Sequence, residues 1–162
     1  MCIRDSVYTA RPDANIAGIN AYMFRRRCGE KLYDQYPVKA DLVCPVPDSG
    51  TPSAIGFAQR SGIPFAAGLV KNRYMGRTFI KSSQEEREIA VRLKLNPQKS
   101  VLEGKSIVLV DDSIVRGTTS AKLIKRIRQA GAKEVHFRVT SPPFSHPCYY
   151  GCLLYTSPSP RD

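Results

Sequence analysis

The stretch from Ile107 to Ser120 constrains the fold more than any other part of this sequence. It reads Ile-Val-Leu-Val-Asp-Asp-Ser-Ile-Val-Arg-Gly-Thr-Thr-Ser, an apolar run that ends in two adjacent carboxylates and is followed by a turn rich in hydroxyl groups. The apolar run is typical of a buried strand, and the Gly-Thr-Thr-Ser turn is typical of a helix start. The sequence therefore predicts a strand, an acidic strand end and a helix N-terminus in immediate succession.

The order of these parts indicates a binding site for a phosphorylated sugar. Gly117 permits a tight turn, and Thr118 to Ser120 offer hydroxyl and amide groups at the positive end of the helix, where an anion binds well. Asp111 and Asp112 repel an anion, so they suit sugar hydroxyls or a divalent cation beside it. Two other interpretations stay open at this point, because receiver domains also contain a strand ending in Asp-Asp and the turn can be an ordinary helix cap.

A second strand, loop and helix precede this stretch. Ala40 to Pro45 reads as a buried strand, the turn Val46–Pro52 follows it, and Ser53 to Ser61 reads as a helix. The N–H groups of this turn suit a second anion, with Asp48 or Ser49 near a metal. A plain strand-to-helix connection is the alternative.

The remaining segments predict the other elements of an α/β domain. The first helix should begin near Asp13 or Asn15 and carry Arg25–Arg27 on a solvated face. Four strand–helix units imply a mostly parallel sheet with helices on both faces and ligand loops at the strand ends. The first helix should run to about Tyr36. The further elements expected are a strand over 62–70, a helix from Ser82 or Ser83 to before Pro97, an amphipathic helix over 121–130 with Lys122, Lys125, Arg126 and Arg128 outward, and an edge-like strand over 134–140.

Composition narrows the class of partner. The chain has 162 residues, 42% of them hydrophobic, which suffices for one domain with a core. Its 25 Lys and Arg residues against 14 Asp and Glu residues, a net charge of +11, favour an anionic partner. No apolar run approaches the roughly 20 residues that span a bilayer. We expect a cytoplasmic protein with no membrane partner.

Both ends of the chain look foreign to the rest. The DNA that encodes residues 1–6 can be the reverse complement of the DNA that encodes the start of 152–162, as expected for a translated sequencing adapter. We therefore expect 7–151 to be an internal fragment of a longer gene. The cysteines that remain are Cys28, Cys44 and Cys148, which form no C-x-x-C pair, so a reducing compartment is favoured.

The segment Val110–Thr119 resembles the phosphoribosyl pyrophosphate (PRPP) signature of type I phosphoribosyltransferases, in the form found in the amidophosphoribosyltransferase family. The resemblance implies an incomplete type I phosphoribosyltransferase fold in which the turn Val46–Pro52 holds the pyrophosphate. It implies Mg²⁺ at Ser49, Asp111 and Asp112. The PRPP-binding residues implied are Asp48, Ser49, Gly50, Asp111, Asp112, Ser113, Val115, Arg116, Gly117, Thr118, Thr119 and Ser120.

The segment Lys71–Ile80 carries the most specific likeness after that signature. It reads Lys-Asn-Arg-Tyr-Met-Gly-Arg-Thr-Phe-Ile and resembles the catalytic loop that closes over PRPP in amidophosphoribosyltransferases. The likeness implies that Tyr74, Arg77 and Ile80 line an ammonia path and that two later cations reach the pyrophosphate. The catalytic residues implied are Lys71, Arg73, Tyr74, Arg77, Arg92 and Lys94.

The segment Ser141–Gly151, Ser-Pro-Pro-Phe-Ser-His-Pro-Cys-Tyr-Tyr-Gly, resembles the branch of that family that carries a [4Fe–4S] cluster. The resemblance implies that Cys148 is one of four ligands and that the other three lie outside 7–151. Cys148 alone cannot hold a cluster.

The resemblance implies a glycosyltransferase that forms 5-phosphoribosylamine and pyrophosphate from PRPP and ammonia, the first step of de novo purine synthesis. In a full-length enzyme the ammonia comes from glutamine, through a domain absent here, so the fragment is expected to be weakly active or inactive. We expect a homo-oligomer when full length and no nucleic-acid partner. The alternative is a PRPP-responsive DNA-binding purine repressor on the same fold, which lacks the Lys71–Ile80 motif.

Overall fold

The computed structural model describes residues 10–71, 95–114 and 118–141, with Thr118 and Thr119 described by their backbone alone. Seven strands and four helices occur in these ranges. In chain order they are β1 Asn15–Ile16, β2 Ile19–Asn20, α1 Ala21–Gln35, β3 Leu42–Pro45, α2 Thr51–Ser61, β4 Leu69–Lys71, β5 Leu95–Pro97, α3 Lys99–Leu102, β6 Ser106–Asp111, α4 Thr118–Gln129 and β7 Glu134–Val139.

A three-stranded parallel sheet forms the centre of the domain, in the order β3, β6, β7. The middle strand is apolar over Ile107–Val110, and all four residues are fully buried. A strand buried on both faces reads as a continuous apolar run, which is why the sequence predicted it correctly. The expectation of an α/β fold with a mostly parallel sheet is confirmed.

Side chains alternate between the two faces of the sheet, and helices cover both. On one face Val43, Val108 and Val110 pack with residues of α1 and α2, including Leu32 and Phe57. On the other face Leu42, Cys44, Ile107 and Leu109 pack with Leu123 and Ile127 of α4. This alternation follows from the period of two along a strand. It gives the three-layer architecture that the repeated strand–helix units predict.

Helices α1 and α2 pack against each other at two glycines. A Cβ at Gly29 would collide with the Ser53 carbonyl, and a Cβ at Gly56 would collide with the Arg26 carbonyl. The Ser53 hydroxyl donates to the Arg25 carbonyl at 3.1 Å across the same contact. The close crossing therefore holds α2 against α1, and α2 begins at Thr51, directly after the loop at Asp48–Gly50.

Two expectations for the first helix were wrong. Its N-cap is Asn20, whose side chain accepts from the Met23 amide at 3.1 Å, because the β1–β2 hairpin occupies the residues before it. Arg25 is 4% exposed and donates to the Ala10 carbonyl at 2.7 Å, so the three arginines do not share one solvated face. Successive helical residues are about 100° apart, which turns one of any three neighbours inward.

The expected third strand over 62–70 divides into two parts. Phe65 makes a single parallel bridge to Val43, whereas Leu69–Lys71 pairs antiparallel with β5. Pro64 has no N–H to donate, and Gly68 passes so close to Leu102 that a Cβ would lie 2.6 Å from its Cδ2 atom, so the chain turns away from the sheet there. The helix predicted to end before Pro97 is also wrong at its end, since Leu95–Pro97 is a strand; residues 72–94 lie outside the described ranges.

The last two elements occur where they were predicted, but one side chain differs: Arg126, expected to point outward, is partly buried and donates to the Leu95 carbonyl at 2.6 Å. Helix α4 spans Thr118–Gln129, and Gly131 follows it with a φ of 98°, a conformation that favours glycine. Strand β7 forms an edge of the parallel sheet. Within the described part of the chain, every helix is too short or too polar to cross a bilayer.

Candidate active site

The two predicted ligand loops lie side by side at one edge of the sheet. Strands β3 and β6 are parallel neighbours, with Pro45 opposite Val110, so their carboxyl ends coincide. The amide of Val46 donates to the Val110 carbonyl at 2.8 Å and extends this pairing by one residue into the loop. The structure thus brings the loop Val46–Gly50 to the acidic end of β6, as the resemblance implied.

Gly50 brings the loop Val46–Gly50 against the end of β6. A Cβ on this residue would lie 2.5 Å from the Val110 carbonyl oxygen and 2.9 Å from that of Val46. Its φ of −74° is accessible to any residue, so the requirement for glycine comes from space and not from backbone conformation. The Gly50 amide donates to the Val46 carbonyl at 3.0 Å and closes the loop, in which the Pro47–Asp48 peptide bond is cis.

The two carboxylates at the end of β6 occupy different environments. Asp112 is 8% exposed, and its Oδ1 atom accepts from the Ser113 hydroxyl at 3.0 Å. Asp111 accepts from the Asp112 amide at 2.8 Å. Burial, reinforced by the negative charge of Asp112, raises the pKa of Asp111 to about 7. A hydroxyl donor or a cation placed beside Asp111 would therefore stabilise its ionised form.

The end of the neighbouring strand holds the backbone of this acidic pair. The amide of Thr140 donates to the Asp111 carbonyl at 3.2 Å, and the amide of Ser141 donates to the Asp112 carbonyl at 2.9 Å. Sequence reasoning missed both residues. The parallel pairing of β6 with β7 was the signal that would have found them, because the residues after two adjacent parallel strands meet at one edge.

Lys71 is the one implied catalytic residue that lies within the described ranges. Its Nζ atom is 2.6 Å from Oδ2 of Asp48, and both side chains are about half exposed. Lys71 ends β4, so this ion pair joins the end of that strand to the loop Val46–Gly50. Ser49 is exposed in the same loop, where its hydroxyl is accessible to a ligand.

The N-terminus of α4 starts at Thr118, seven residues after Asp111. Its first turn contains no acidic residue, so no carboxylate within that turn opposes an anion at this end of the helix. Ser120 is partly buried there, and Ser113 lies beside Asp112. The other implied residues lie outside the description, wholly or in their side chains: Arg73, Tyr74, Arg77, Ile80, Arg92, Lys94, Val115, Arg116, Gly117, Thr118, Thr119 and Cys148.

Ligands for a metal ion are few among the described residues. Within residues 10–71, 95–114 and 118–141, no three His, Cys, Asp or Glu side chains converge as a metal site would require. The candidate Mg²⁺ ligands are two carboxylates and one hydroxyl. Hard oxygen donors of this kind suit Mg²⁺ where a phosphate and waters supply the rest of its octahedral shell.

The chain matches a known family over most of its length. Residues 20–146 match the model of the phosphoribosyl transferase domain, which is more than three quarters of the chain. The matched range includes both ligand loops and the acidic end of β6.

Individual relatives are similar over nearly the whole chain. The amidophosphoribosyltransferase of Methanocaldococcus jannaschii is 60% identical over 155 residues, which cover 96% of this chain and 33% of the relative. That of Synechococcus elongatus is 56% identical over 93% of this chain and 31% of the relative. The chain therefore spans about a third of the length of the relatives that it matches.

A solved structure has the same backbone arrangement. The glutamine PRPP amidotransferase of Bacillus subtilis, solved in complex with ADP and GMP, superposes with a TM-score of 0.85 at 51% identity, over 94% of this chain and 34% of that one. At this identity the likeness extends beyond the fold alone. Together with the family match over both ligand loops, it shows that the chain belongs to the phosphoribosyl transferase domain family.

Proposed function

We propose that this chain binds PRPP and is the phosphoribosyltransferase part of an amidophosphoribosyltransferase. The observation that carries the proposal is the contact of Gly50 with the end of β6, because it sets a loop suited to pyrophosphate beside carboxylates suited to ribose hydroxyls. The amidophosphoribosyltransferases at 50–60% identity supply the choice of reaction within the family.

The three parts of PRPP have chemically matched positions in this arrangement. The 5-phosphate suits the N-terminus of α4, where backbone amides at Thr118–Ser120 and the helix dipole favour negative charge. The ribose hydroxyls suit Asp111 and Asp112, which accept hydrogen bonds when ionised. The pyrophosphate suits the loop at Asp48–Gly50, where the ion pair with Lys71 compensates the charge of Asp48.

The proposed reaction transfers the ribosyl group from oxygen to nitrogen. Ammonia forms a bond to C1 of the ribose while the C1–O bond to pyrophosphate breaks and its electron pair leaves with the pyrophosphate; the new ammonium then loses one proton. Positive charge develops at C1 during this exchange, so carboxylates held near the ribose, Asp111 and Asp112, stabilise the transition state electrostatically. No protein nucleophile takes part.

Mg²⁺ fits the donor set of the site. Asp111 is partly buried and lies next to Asp112 in sequence, and a cation bound beside the pair would lower the cost of their two negative charges. We propose that Asp111, Asp112 and the hydroxyl of Ser49 hold it. When bound, Mg²⁺ neutralises charge on the leaving pyrophosphate.

The use of glutamine and of a [4Fe–4S] cluster are finer proposals. Both rest on the resemblance. The cluster rests on Cys148 in the segment Ser141–Gly151, and Cys148 lies outside the described residues. Cys28 lies in α1 and Cys44 in the core, so neither supports a cluster near the site. Protein expressed from the whole gene and purified anaerobically should show brown iron–sulfur absorbance; an iron-free, colourless product would refute the cluster.

The matched relatives favour an enzyme over the repressor, since they are amidophosphoribosyltransferases. We further propose a cytoplasmic protein that is homo-oligomeric when full length. Light scattering of the whole gene product would test the oligomeric state.

The decisive test is PRPP-dependent release of pyrophosphate with ammonium as the nitrogen source. The 162-residue chain should bind PRPP in the presence of Mg²⁺, and any release of pyrophosphate should fall by at least about a hundredfold in Asp111→Asn. Asp13→Asn is the matched control, because it removes one exposed carboxylate at a position just before β1 that is not among the candidate site residues. Binding of PRPP that survives Asp111→Asn unchanged would refute the proposed site.

A further inference from the structure

Arg126 makes a contact that its position on α4 did not predict. Its Nη1 atom donates to the Leu95 carbonyl at 2.6 Å, and its Nη2 atom lies 3.3 Å from Oδ1 of Asn96. Both hydrogen bonds are partly buried. The planar guanidinium suits two acceptors on consecutive residues, whereas the single ammonium of a lysine cannot reproduce this geometry.

The contacted residues belong to an antiparallel ribbon formed by β4 and β5. In its register Lys71 lies opposite Leu95, and Val70 lies opposite Asn96. The same end of the ribbon therefore contacts both ligand-binding elements. Lys71 forms an ion pair with Asp48 in the loop Val46–Gly50, while Leu95 accepts from Arg126 of the helix that begins at the candidate phosphate site.

Apolar packing also holds the β4–β5 ribbon against α4. Leu69 of β4 is 3% exposed and belongs to one cluster with Leu123 and Ile127 of α4, and Leu95 packs against that cluster. Apolar contacts are not directional, so they place the ribbon on α4 without determining its rotation. The paired hydrogen bonds of Arg126 supply that direction.

We infer that Arg126 is a positioning residue. It holds the loop Val46–Gly50, proposed to bind the pyrophosphate, and α4, proposed to bind the 5-phosphate, at the separation that PRPP requires. The strand pairing of β3 with β6 fixes the base of the two elements, and the ribbon joins them at a second place. Arg126 acts through Leu95 and Lys71 and does not contact the ligand. The inference rests on the proposed function, because only a ligand that spans both elements depends on their separation.

Two ligands separate positioning from a loss of general stability. PRPP spans both elements, whereas ribose 5-phosphate lacks the pyrophosphate, so it engages α4 and the acidic end of β6 but not the loop Val46–Gly50. In Arg126→Lys the dissociation constant for PRPP, measured by calorimetry with Mg²⁺, should rise at least about fivefold, while that for ribose 5-phosphate should change less than about twofold. Arg128→Lys, at an exposed position on the same helix, is the matched control and should leave both affinities unchanged.

A second variant covers the case in which Arg126→Lys does not fold. Asn96→Ala removes only the side-chain acceptor, so it should weaken PRPP in the same direction by a smaller factor, with faster amide exchange in β5. Suppose that the wild-type chain binds PRPP. If Arg126→Lys or Asn96→Ala then binds PRPP and ribose 5-phosphate as tightly as the wild type does, or loses affinity for both equally, the inference is wrong while the proposed function stands. If the wild-type chain binds ribose 5-phosphate but not PRPP, the proposed function fails and the inference fails with it.

Discussion

Gly50 lies directly against the carbonyl oxygen of Val110, with no room for a Cβ between them. The contact joins the loop after β3 to the last buried residue of β6, one residue before Asp111. At this contact two separate strand–loop–helix units meet at the candidate site. Because the contact is made by backbone atoms, it depends on sheet register and on one missing side chain.

Gly50→Ala tests this contact. A Cβ 2.5 Å from a backbone oxygen forces the loop away from β6. We expect PRPP affinity to fall by at least about tenfold and the free energy of unfolding to fall by about 1–3 kcal/mol. Calorimetry and urea unfolding measure the two quantities. Gln59→Ala, on the exposed face of α2, is the control; a Gly50→Ala protein that binds PRPP normally would contradict the assigned contact.

The α1–α2 crossing makes a separate prediction about stability. Gly29→Ala places a methyl group against the Ser53 carbonyl, and backbone on both sides leaves little space to relax. The expected loss is about 2–4 kcal/mol in the free energy of unfolding, which urea titration monitored by circular dichroism would measure. Arg27→Ala, exposed on the same helix, should change it by less than about 0.5 kcal/mol. Equal stability of the two variants would show that the helices do not cross this closely.

Asp111 makes the stability of the ligand-free, metal-free protein depend on pH. Its pKa is raised to about 7 in the folded state by burial and by the charge of Asp112, against 3.8 for the ordinary carboxyl. The favourable contribution of the protonated form is complete below about pH 4 and is lost as the pH rises through 7. Asp111→Asn should therefore be more stable than the wild type at pH 8, by up to about 4 kcal/mol, with the difference vanishing near pH 4.

Thermal unfolding in EDTA across pH 4–8 measures this difference. Added Mg²⁺ together with PRPP should reverse it, because ligands then favour the ionised carboxylate of the wild type. A wild-type protein that is at least as stable as Asp111→Asn at pH 8 without ligands would contradict the raised pKa.

Thiol labelling tests the burial of β3. Burial raises the pKa of Cys44, which is fully buried in the strand, and burial also raises the pKa of Cys28, which is partly exposed in α1. Since the thiolate is the reactive species, iodoacetamide at pH 8 should label Cys44 at least about tenfold more slowly than Cys28. Peptide mass spectrometry reads both sites, and labelling in guanidinium, where the two rates should converge, is the control. Rapid labelling of Cys44 in the folded protein would argue against its place in the core.

The origin of the two ends makes a prediction about the source DNA. We propose that 1–6 and 152–162 are translated adapter, so the DNA at one end should be the reverse complement of the DNA at the other. Sequencing of the original molecule beyond the junctions would test this. Codons that differ from such a complement at several positions would refute it, and a continuous gene across Ser6–Val7 would do so directly.

The site could be predicted where its residues are local in sequence. Asp111, Asp112 and the α4 start follow one apolar run, and Asp48–Gly50 follow another, so a strand-then-loop pattern identified both. Arg25, by contrast, is buried because α1 turns its side chain towards Ala10. The run of charges Arg25–Arg27 does not indicate which of the three side chains points inward. A charge pattern reports how polar a helix is, not which residue faces a neighbour.

The β4–β5 ribbon could not be predicted for a related reason. Its two strands are three residues each and are separated by residues 72–94, so neither has enough periodicity to distinguish a strand from a loop. The sequence over 82–96 favoured a helix to its end, and pairing with β4 overrode that preference at Leu95–Pro97. Arg126 then lies inward only because this ribbon passes over α4.

The sequence by itself determined the local parts of the candidate site: the buried strand, the paired acids, the glycine-containing loops and the helix starts are local patterns with local causes. Only the tertiary structure decided how they meet. Parallel pairing of β3 with β6 brought the carboxyl ends together, the absent side chain of Gly50 allowed the loops to touch, and the ribbon joined Lys71 and Arg126 across them. These relations depend on hydrogen bonds and packing between residues tens of positions apart, which local periodicity does not encode.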